Sequence, residues 1–148
     1  MKFFAAVSVF ALSTPVFLTK AYTVRYDEFY DNNLASLNSV ACSNGQYGLI
    51  PYGYNTFGDI PTYPILGGAP QIQGWNSPNC GTCWSLTYTG PHGAPSSVTF
   101  TAINSGDQGG FVMSFAGFDL LTNGNALRFG EVEVTASPLP ESACGITF

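Results

Sequence analysis

Few residues of this chain could carry out acid–base or nucleophilic chemistry. His92 is the one histidine among 148 residues, and it lies in the Gly- and Pro-rich stretch 90–95. A Ser-His-Asp or Cys-His site would have to use it, yet a histidine in such a turn is typically only solvated. The chain also has no G-x-S-x-G, no phosphate-binding loop and no dinucleotide fingerprint. The sequence therefore predicts no catalytic residue of these classes and no cofactor.

Carboxylates are the remaining option, because glycoside hydrolysis needs an acid and a base or nucleophile at a fixed separation. The nine available are Asp27, Glu28, Asp31, Asp59, Asp107, Asp119, Glu131, Glu133 and Glu141. The sequence does not show which of them meet in space, and we expect most to form the solvated surface of an acidic domain. A weak endoglucanase-like hydrolase stays open as the alternative to a non-catalytic protein.

The cysteine count indicates two disulfides in a small secreted protein. The four cysteines, Cys42, Cys80, Cys83 and Cys144, allow three pairings. Loop-closure entropy favours Cys42–Cys80 with Cys83–Cys144, at about 4 kcal/mol for each closure, over a short Cys80–Cys83 link. No metal site is expected, because the chain has no second C-x-x-C and no H-x-x-x-H.

Residues 1–21 have the pattern of a secretory signal peptide: a short basic start, an apolar run over 3–18 and small residues before a cleavage point at Ala21. Cleavage after Ala11 is the weaker alternative. A membrane anchor is disfavoured, because the run is shorter than the roughly 20 residues that span a bilayer and Pro15 interrupts it. We therefore predict a secreted, extracellular protein whose domain spans residues 22–148.

Composition and charge exclude several classes of protein. Charged residues make up 9% of the chain, against about 25% in an average domain, which argues against an amphipathic helical bundle and against disorder. After cleavage the chain would contain two arginines, no lysine and nine acidic residues, so its net charge becomes −7. Such a protein cannot neutralise a run of phosphates. We expect neither nucleic acid nor a membrane surface as a partner.

Short alternating segments predict a mainly β domain. Strands are expected at 22–30, 72–75, 84–89, 98–103 and 128–136, with a turn of helix at 56–60. Apolar residues at 112, 115, 118 and 121 predict a short helix over 112–121. Five or six short strands with a minor helix in a disulfide-tied domain favour a β-barrel over a sandwich of regular hairpins.

Several motifs resemble those of the cerato-platanin family of small secreted fungal proteins. They occur in one order across the predicted domain: Y-D-x-x-Y at 26–30, V-A-C-S-N-G at 40–45, G-L at 48–49, G-W-N-S-P-N-C-G-T-C-W at 74–84 and G-G-F at 109–111. The resemblance implies a six-stranded double-psi β-barrel with one or two short helices, similar to the first domain of expansins and to family 45 endoglucanases. It also implies the Cys42–Cys80 and Cys83–Cys144 disulfides.

The same resemblance implies a function without hydrolysis. It implies binding to chitin or chito-oligosaccharides of N-acetylglucosamine, expansin-like loosening of chitin or cellulose, and elicitation of plant defence through a plant receptor. It also implies self-association at air–water interfaces, so a surface-active structural protein of the fungal wall is a further alternative.

Two positions depart from the family pattern. Asn104 stands where the family commonly has an aspartate, and Val112 stands where relatives often have asparagine. An asparagine can hydrogen-bond a sugar hydroxyl but cannot act as a general acid or base near neutral pH. The substitution therefore favours a binding protein over an enzyme.

A site for neutral sugars needs aromatic platforms and neutral or acidic hydrogen-bonding partners. The candidate platforms are Tyr26, Tyr30, Trp75 and Phe111, and the candidate polar partners are Asp27, Asn76, Ser77 and Asn104. Gly109 and Gly110 would let a ligand or another segment of backbone approach closely. Packing in the core is the competing role for every aromatic residue in this set.

Overall fold

Six strands close into a single barrel in the computed structural model, which describes residues 9–13, 20–91 and 93–148. The strands are β1 (Lys20–Tyr26), β2 (Leu66–Ala69), β3 (Cys83–Tyr88), β4 (Ser96–Ser105), β5 (Phe111–Met113) and β6 (Glu131–Leu139). Two short helices, α1 (Phe115–Leu121) and α2 (Ala126–Phe129), lie between β5 and β6. Most of the predicted signal peptide, and His92, lie outside the described residues.

The barrel has the strand order β1-β5-β2-β4-β3-β6 and mixed pairing. β1 runs parallel to β5 and β2 runs parallel to β4, while the other four neighbouring pairs are antiparallel. Closure leaves no free sheet edge. The expected fold class, a closed six-stranded barrel with short helices and two disulfides, is confirmed. In the described part of the chain no helix is long and apolar enough to cross a membrane.

Alternation along the strands separates the core from the surface. In β6, Val132, Val134 and Ala136 are buried, whereas Glu131 and Glu133 between and beside them are exposed. This is the two-residue period of a strand with one buried face. The inward-facing side chains form the core of the barrel.

β2 was not predicted, and the strand expected at 72–75 is wrong, because Ile72 and Gln73 are irregular, Gly74 lies in a bend and Trp75 lies in a turn. β2 has the sequence Leu-Gly-Gly-Ala, and the backbones of the neighbouring strands β4 and β5 pack very close to its two glycines. A Cβ on Gly67 would stand 2.0 Å from the Val112 carbonyl oxygen, and one on Gly68 would stand 2.2 Å from the Ser105 carbonyl oxygen. Glycine is therefore required at both positions for the strands to pack, although two adjacent glycines in a sequence are more typical of a loop.

Other element boundaries also differ from expectation. The helix expected over 112–121 begins at Phe115, because Val112 and Met113 pair with β1 and β2 as part of β5. The first strand ends at Tyr26, because the Asp27 side chain caps a turn of 3-10 helix that follows it. The last strand begins at 131 after α2, and the helical turn expected at 56–60 is present as a 3-10 turn at Phe57–Asp59.

The expected disulfides, Cys42–Cys80 and Cys83–Cys144, are both present. The backbone N–H of Cys42 also donates to the Ile103 carbonyl in β4, at 3.1 Å. The first disulfide therefore joins the turn before β3 to a segment that is itself attached to the barrel. These connections hold two long turns, 40–48 and 74–80, at one end of β4.

Candidate functional site

Trp75 is an exposed aromatic residue held in a fixed position. Its side chain is 64% exposed, and its indole Nε1 donates a hydrogen bond of 2.8 Å to Oδ1 of Asn44. The turn that carries it is connected through Cys80 to Cys42. Most of the surface of a tryptophan side chain is usually buried in the protein. Here the ring is instead presented to the exterior, with its polar edge fixed.

The neighbouring turns form one surface with Trp75. Oδ1 of Asn76 accepts the backbone N–H of Tyr47 at 2.9 Å, and Asn76 has the left-handed φ of 57°. Gly45 lies beneath both side chains, since a Cβ there would stand 2.7 Å from Oδ1 of Asn76 and 3.1 Å from Cζ2 of Trp75. We call Asn44, Gly45, Tyr47, Trp75 and Asn76 the Trp75 surface.

A hydrogen-bonded pair, the half-buried Asn104 and the buried Tyr30, supports the segment that leads to this surface. Nδ2 of Asn104 donates to the Tyr30 hydroxyl at 3.0 Å, and Oδ1 of Asn104 accepts the Ala41 N–H at 3.0 Å. Tyr30 is 4% exposed. Burial raises its pKa, the hydrogen bond from Asn104 opposes that rise, and the charge of Asp27 adds to it. Asn104 therefore positions the segment that leads to Asn44.

Three further predicted residues have local structural roles. Tyr26 is half-buried and packs edge-on against Phe115 with ring centroids 5.1 Å apart. Asp27 is exposed and accepts the Phe29 N–H at 2.9 Å. Ser77 is buried, and its Oγ accepts the Asn79 N–H at 3.2 Å. Ser77 thus shapes the turn that follows Trp75 rather than facing outward.

Phe111 belongs to the core. It is 1% exposed and packs edge-on against Tyr22, Trp84 and Phe100. A ring enclosed in this way offers no face to a sugar, so the Trp75 surface does not include it. Sequence alone could not tell whether Phe111 is a core residue or an exposed platform for a sugar ring, because a phenylalanine can serve as either.

The glycine-rich loop before β5 packs against β1. Asp107 and Gly110 exchange two backbone hydrogen bonds, and the Asp107 carboxylate forms an ion pair with Arg25. A Cβ on Gly110 would stand 2.3 Å from Oγ1 of Thr23. Gly110 therefore serves a close approach within the protein, whereas a Cβ on Gly109, at φ +80°, would meet no atom within 4 Å.

Many carboxylates are engaged in structural contacts. Asp31 accepts two N–H groups at the start of α1, Asp59 accepts two in the turn at Phe57–Asp59, and Asp119 accepts the Ala126 N–H. With Asp27 and Asp107, five of the nine acidic residues serve caps or ion pairs. Within residues 9–13, 20–91 and 93–148, no three His, Cys, Asp or Glu side chains converge as a metal site.

Three residues of the Trp75 surface were not predicted as site residues: Asn44, Gly45 and Tyr47. Asn44 and Gly45 lie in the V-A-C-S-N-G motif, so the motif itself was a usable signal. Tyr47 gave no signal, because its position depends on a hydrogen bond to a residue 29 positions later.

Comparison with known proteins gives a consistent result. The family model described as Cerato-platanin matches residues 22–146. The heat-stable 19 kDa antigen of Coccidioides immitis (strain RS) is 41% identical over 143 residues, which cover 96% of this chain and 92% of the relative.

Two solved structures are also similar. Cerato-platanin 2 from M. perniciosa has a TM-score of 0.81 and 39% identity, and the match covers 86% of this chain and 100% of that one. The solution structure of the fungal elicitor Cerato-Platanin has a TM-score of 0.70 and 36% identity, with coverage of 82% and 95%. The sequence motifs, the closed barrel and these matches agree, and the chain belongs to the cerato-platanin family.

Proposed function

We propose that this chain is a secreted, non-catalytic protein that binds cell-wall polysaccharide, with chitin oligomers of N-acetylglucosamine as the favoured ligand and cellulose as a weaker one. The observation that carries the proposal is the exposed Trp75 indole, fixed by Asn44 and flanked by Asn76. An aromatic face of this kind suits the apolar face of a sugar ring. Its rigidity reduces the entropy lost when a ligand binds.

The polar groups around Trp75 are neutral amides. Asn44 and Asn76 each use Oδ1 inside the protein. In the part of the chain that the structure describes, the Nδ2 group of neither residue donates a hydrogen bond. Both amide nitrogens are therefore free to donate to a ligand. The acetamide carbonyl of N-acetylglucosamine is a suitable acceptor, which favours chitin over cellulose.

Charge supports the same class of ligand. The predicted mature chain carries two arginines, and Arg25 is engaged by Asp107. An acidic protein repels anionic polymers and has no such conflict with a neutral one. The absence of a carboxylate at position 104, together with the structural use of five others, supports binding without hydrolysis.

A role as an elicitor of plant defence belongs to the same proposal. It is supported by the similarity to the protein whose solution structure is titled a fungal elicitor. Binding to wall polysaccharide would keep such a protein at the wall and bring it into contact with a plant receptor.

Titration of the ¹⁵N-labelled protein with chitotriose, followed by NMR, tests the proposal. We expect shifts of the Trp75 indole N–H and of the side-chain amides of Asn44 and Asn76. Trp75→Ala should weaken binding about tenfold or more, which corresponds to about 1.4 kcal/mol. Phe129→Ala, which removes a ring that is 36% exposed on α2, is the matched control and should bind as the wild type does.

Two outcomes would overturn the proposal. One is the absence of any shift at millimolar chitotriose, and the other is unchanged affinity in Trp75→Ala. The non-catalytic part is tested separately, because release of reducing ends from amorphous cellulose or chitin should stay at the level of a protein-free control.

A further inference from the structure

A cavity of about 230 Å³ lies next to the Trp75 surface. Three aromatic residues line it, and all are substantially exposed: Tyr47 at 42%, Tyr52 at 43% and Phe148 at 54%. Gln46 and Glu141 contribute polar groups to its wall. An exposed aromatic cluster with a few polar groups is the usual composition of a small-molecule site.

The aromatic wall is held in place by several contacts. Tyr52 and Phe148 pack edge-to-face with ring centroids 4.9 Å apart. The Phe148 ring lies over Gly81, since a Cβ there would stand 2.7 Å from Cζ of Phe148. The backbone N–H of Thr147 donates to the Tyr54 hydroxyl at 3.1 Å, which anchors the segment that carries Phe148.

The cavity and the Trp75 ring both contact the turn over residues 45–47. Gln46 and Tyr47 directly follow Gly45, the residue against which the Trp75 ring is placed. The Tyr47 backbone is joined to Asn76 by a hydrogen bond. A ligand that extends beyond the Trp75 surface could therefore continue along this turn into the cavity.

The chemistry of the cavity matches that of a neutral sugar. The side chains that line it are aromatic or apolar, with one amide and one carboxylate and no cation. A carboxylate at Glu141 accepts hydrogen bonds from hydroxyl or acetamide N–H groups and repels an anionic ligand. The volume is below that of a drug-sized pocket, so it suits one sugar ring rather than a larger molecule.

We propose that this cavity is a second sugar subsite, which binds a further residue of the same oligosaccharide that stacks on Trp75. The inference rests on the proposed function and adds that affinity depends on chain length. A ligand that reaches both subsites gains from their linkage, whereas a short ligand uses the Trp75 surface alone.

Isothermal titration of chitotriose and chitohexaose into six proteins tests this inference. The proteins are the wild type, Trp75→Ala, Tyr52→Ala, Phe148→Ala, Glu141→Gln and the control Phe129→Ala. We expect the wild type and the control to bind chitohexaose at least about tenfold more tightly than chitotriose. In Tyr52→Ala and Phe148→Ala the ratio of chitohexaose to chitotriose affinity should fall to about threefold. This remaining gain arises because the longer ligand can place more than one of its rings on Trp75. Chitotriose affinity should be unchanged in both variants.

The results separate this inference from the proposed function. If Trp75→Ala leaves both affinities at the wild-type value, the proposed function fails. If Trp75→Ala weakens both ligands but the ratio is the same in the wild type, Tyr52→Ala and Phe148→Ala, the second subsite is refuted. Glu141→Gln provides a variant of nearly unchanged shape, and a reduced chitohexaose affinity in it would support the subsite without the loss of a ring.

Discussion

Replacement of Asn104 by alanine tests the support of the Trp75 surface. The change removes two hydrogen bonds of 3.0 Å, one to the Tyr30 hydroxyl and one from the Ala41 N–H. Each such bond contributes about 1 kcal/mol net, and a partly buried N–H left without a partner adds to the loss. We expect the free energy of unfolding to fall by about 2–3 kcal/mol.

Guanidinium unfolding with both disulfides intact measures this loss. The midpoint should fall while the m-value stays unchanged, since the surface exposed on unfolding is the same. Asn38→Ala is the control, because Asn38 is exposed and its side chain takes part in none of the described hydrogen bonds. That variant should lie within about 0.5 kcal/mol of the wild type. A similarly small effect in Asn104→Ala would refute the supporting role of Asn104.

Asn104→Asp separates hydrogen bonding from chemistry. A carboxylate still accepts the Ala41 N–H, and the Tyr30 hydroxyl can reverse its role and donate to it. We expect stability near that of the wild type at neutral pH, because a hydrogen bond to a charged group offsets part of the cost of burying the charge. We expect no release of reducing ends from amorphous cellulose, because glycoside cleavage needs a second carboxyl group at a fixed distance. Asp27, whose charge acts on Tyr30, already accepts the Phe29 N–H.

Two further carboxylates give testable effects on stability. Asp31 accepts the Phe115 N–H at 2.7 Å and the Ala116 N–H at 3.0 Å at the start of α1, so Asp31→Ala should lower the free energy of unfolding by about 2–3 kcal/mol in denaturant titration. Hydrogen bonds from the Thr56 and Asn55 N–H groups lower the pKa of Asp59 below 3.8, so its contribution is complete above about pH 4 and is lost as the pH falls through the folded-state value. Asp59→Asn should therefore lose less stability than the wild type between about pH 4 and pH 2, and an identical acid profile in thermal unfolding would contradict this.

The strands that were predicted are those with a clear two-residue period. In β6 the alternating sequence is also an alternation of buried and exposed residues. In β3 and β4 the sequence alternates, but the buried residues lie three apart in β3 and form one run of four in β4. β2 could not be found in this way, because all four of its residues are buried and two are glycines. Its two glycines are needed because the backbone of Val112 and Ser105, distant in the sequence, packs closely against them. A local sequence pattern carries no information on this close packing between strands.

The predicted helix shows how one apolar spacing can cover two elements. Val112, Phe115, Phe118 and Leu121 have nearly helical spacing, yet Val112 pairs with Arg25 of β1. The parallel β1–β5 pairing is a tertiary contact across more than 80 residues, and it overrides the local preference. Ser114 then begins α1, because its Oγ accepts the Gly117 N–H.

The same limit applies to the site. Residue type selects Trp75, Phe111 and Tyr30 alike as candidate platforms, yet Trp75 is exposed and the other two are buried. What distinguishes Trp75 is a hydrogen bond to Asn44, 31 residues earlier in the chain. The Cys42–Cys80 disulfide links the same two turns. Sequence therefore indicated the chemistry of the surface and could not indicate which aromatic residues form it.

The four aromatic side chains of the two proposed subsites all remain exposed on neighbouring turns. They are Tyr47, Tyr52, Trp75 and Phe148. Burying a large apolar side chain contributes about 1.5–3 kcal/mol; Phe111 obtains this gain in full, whereas these four rings obtain only part of it. Instead, hydrogen bonds and edge-to-face packing hold two of them, Trp75 and Phe148, at the surface. Rings that are fixed yet exposed, amid amides and a carboxylate, are what a neutral polymer of sugars requires.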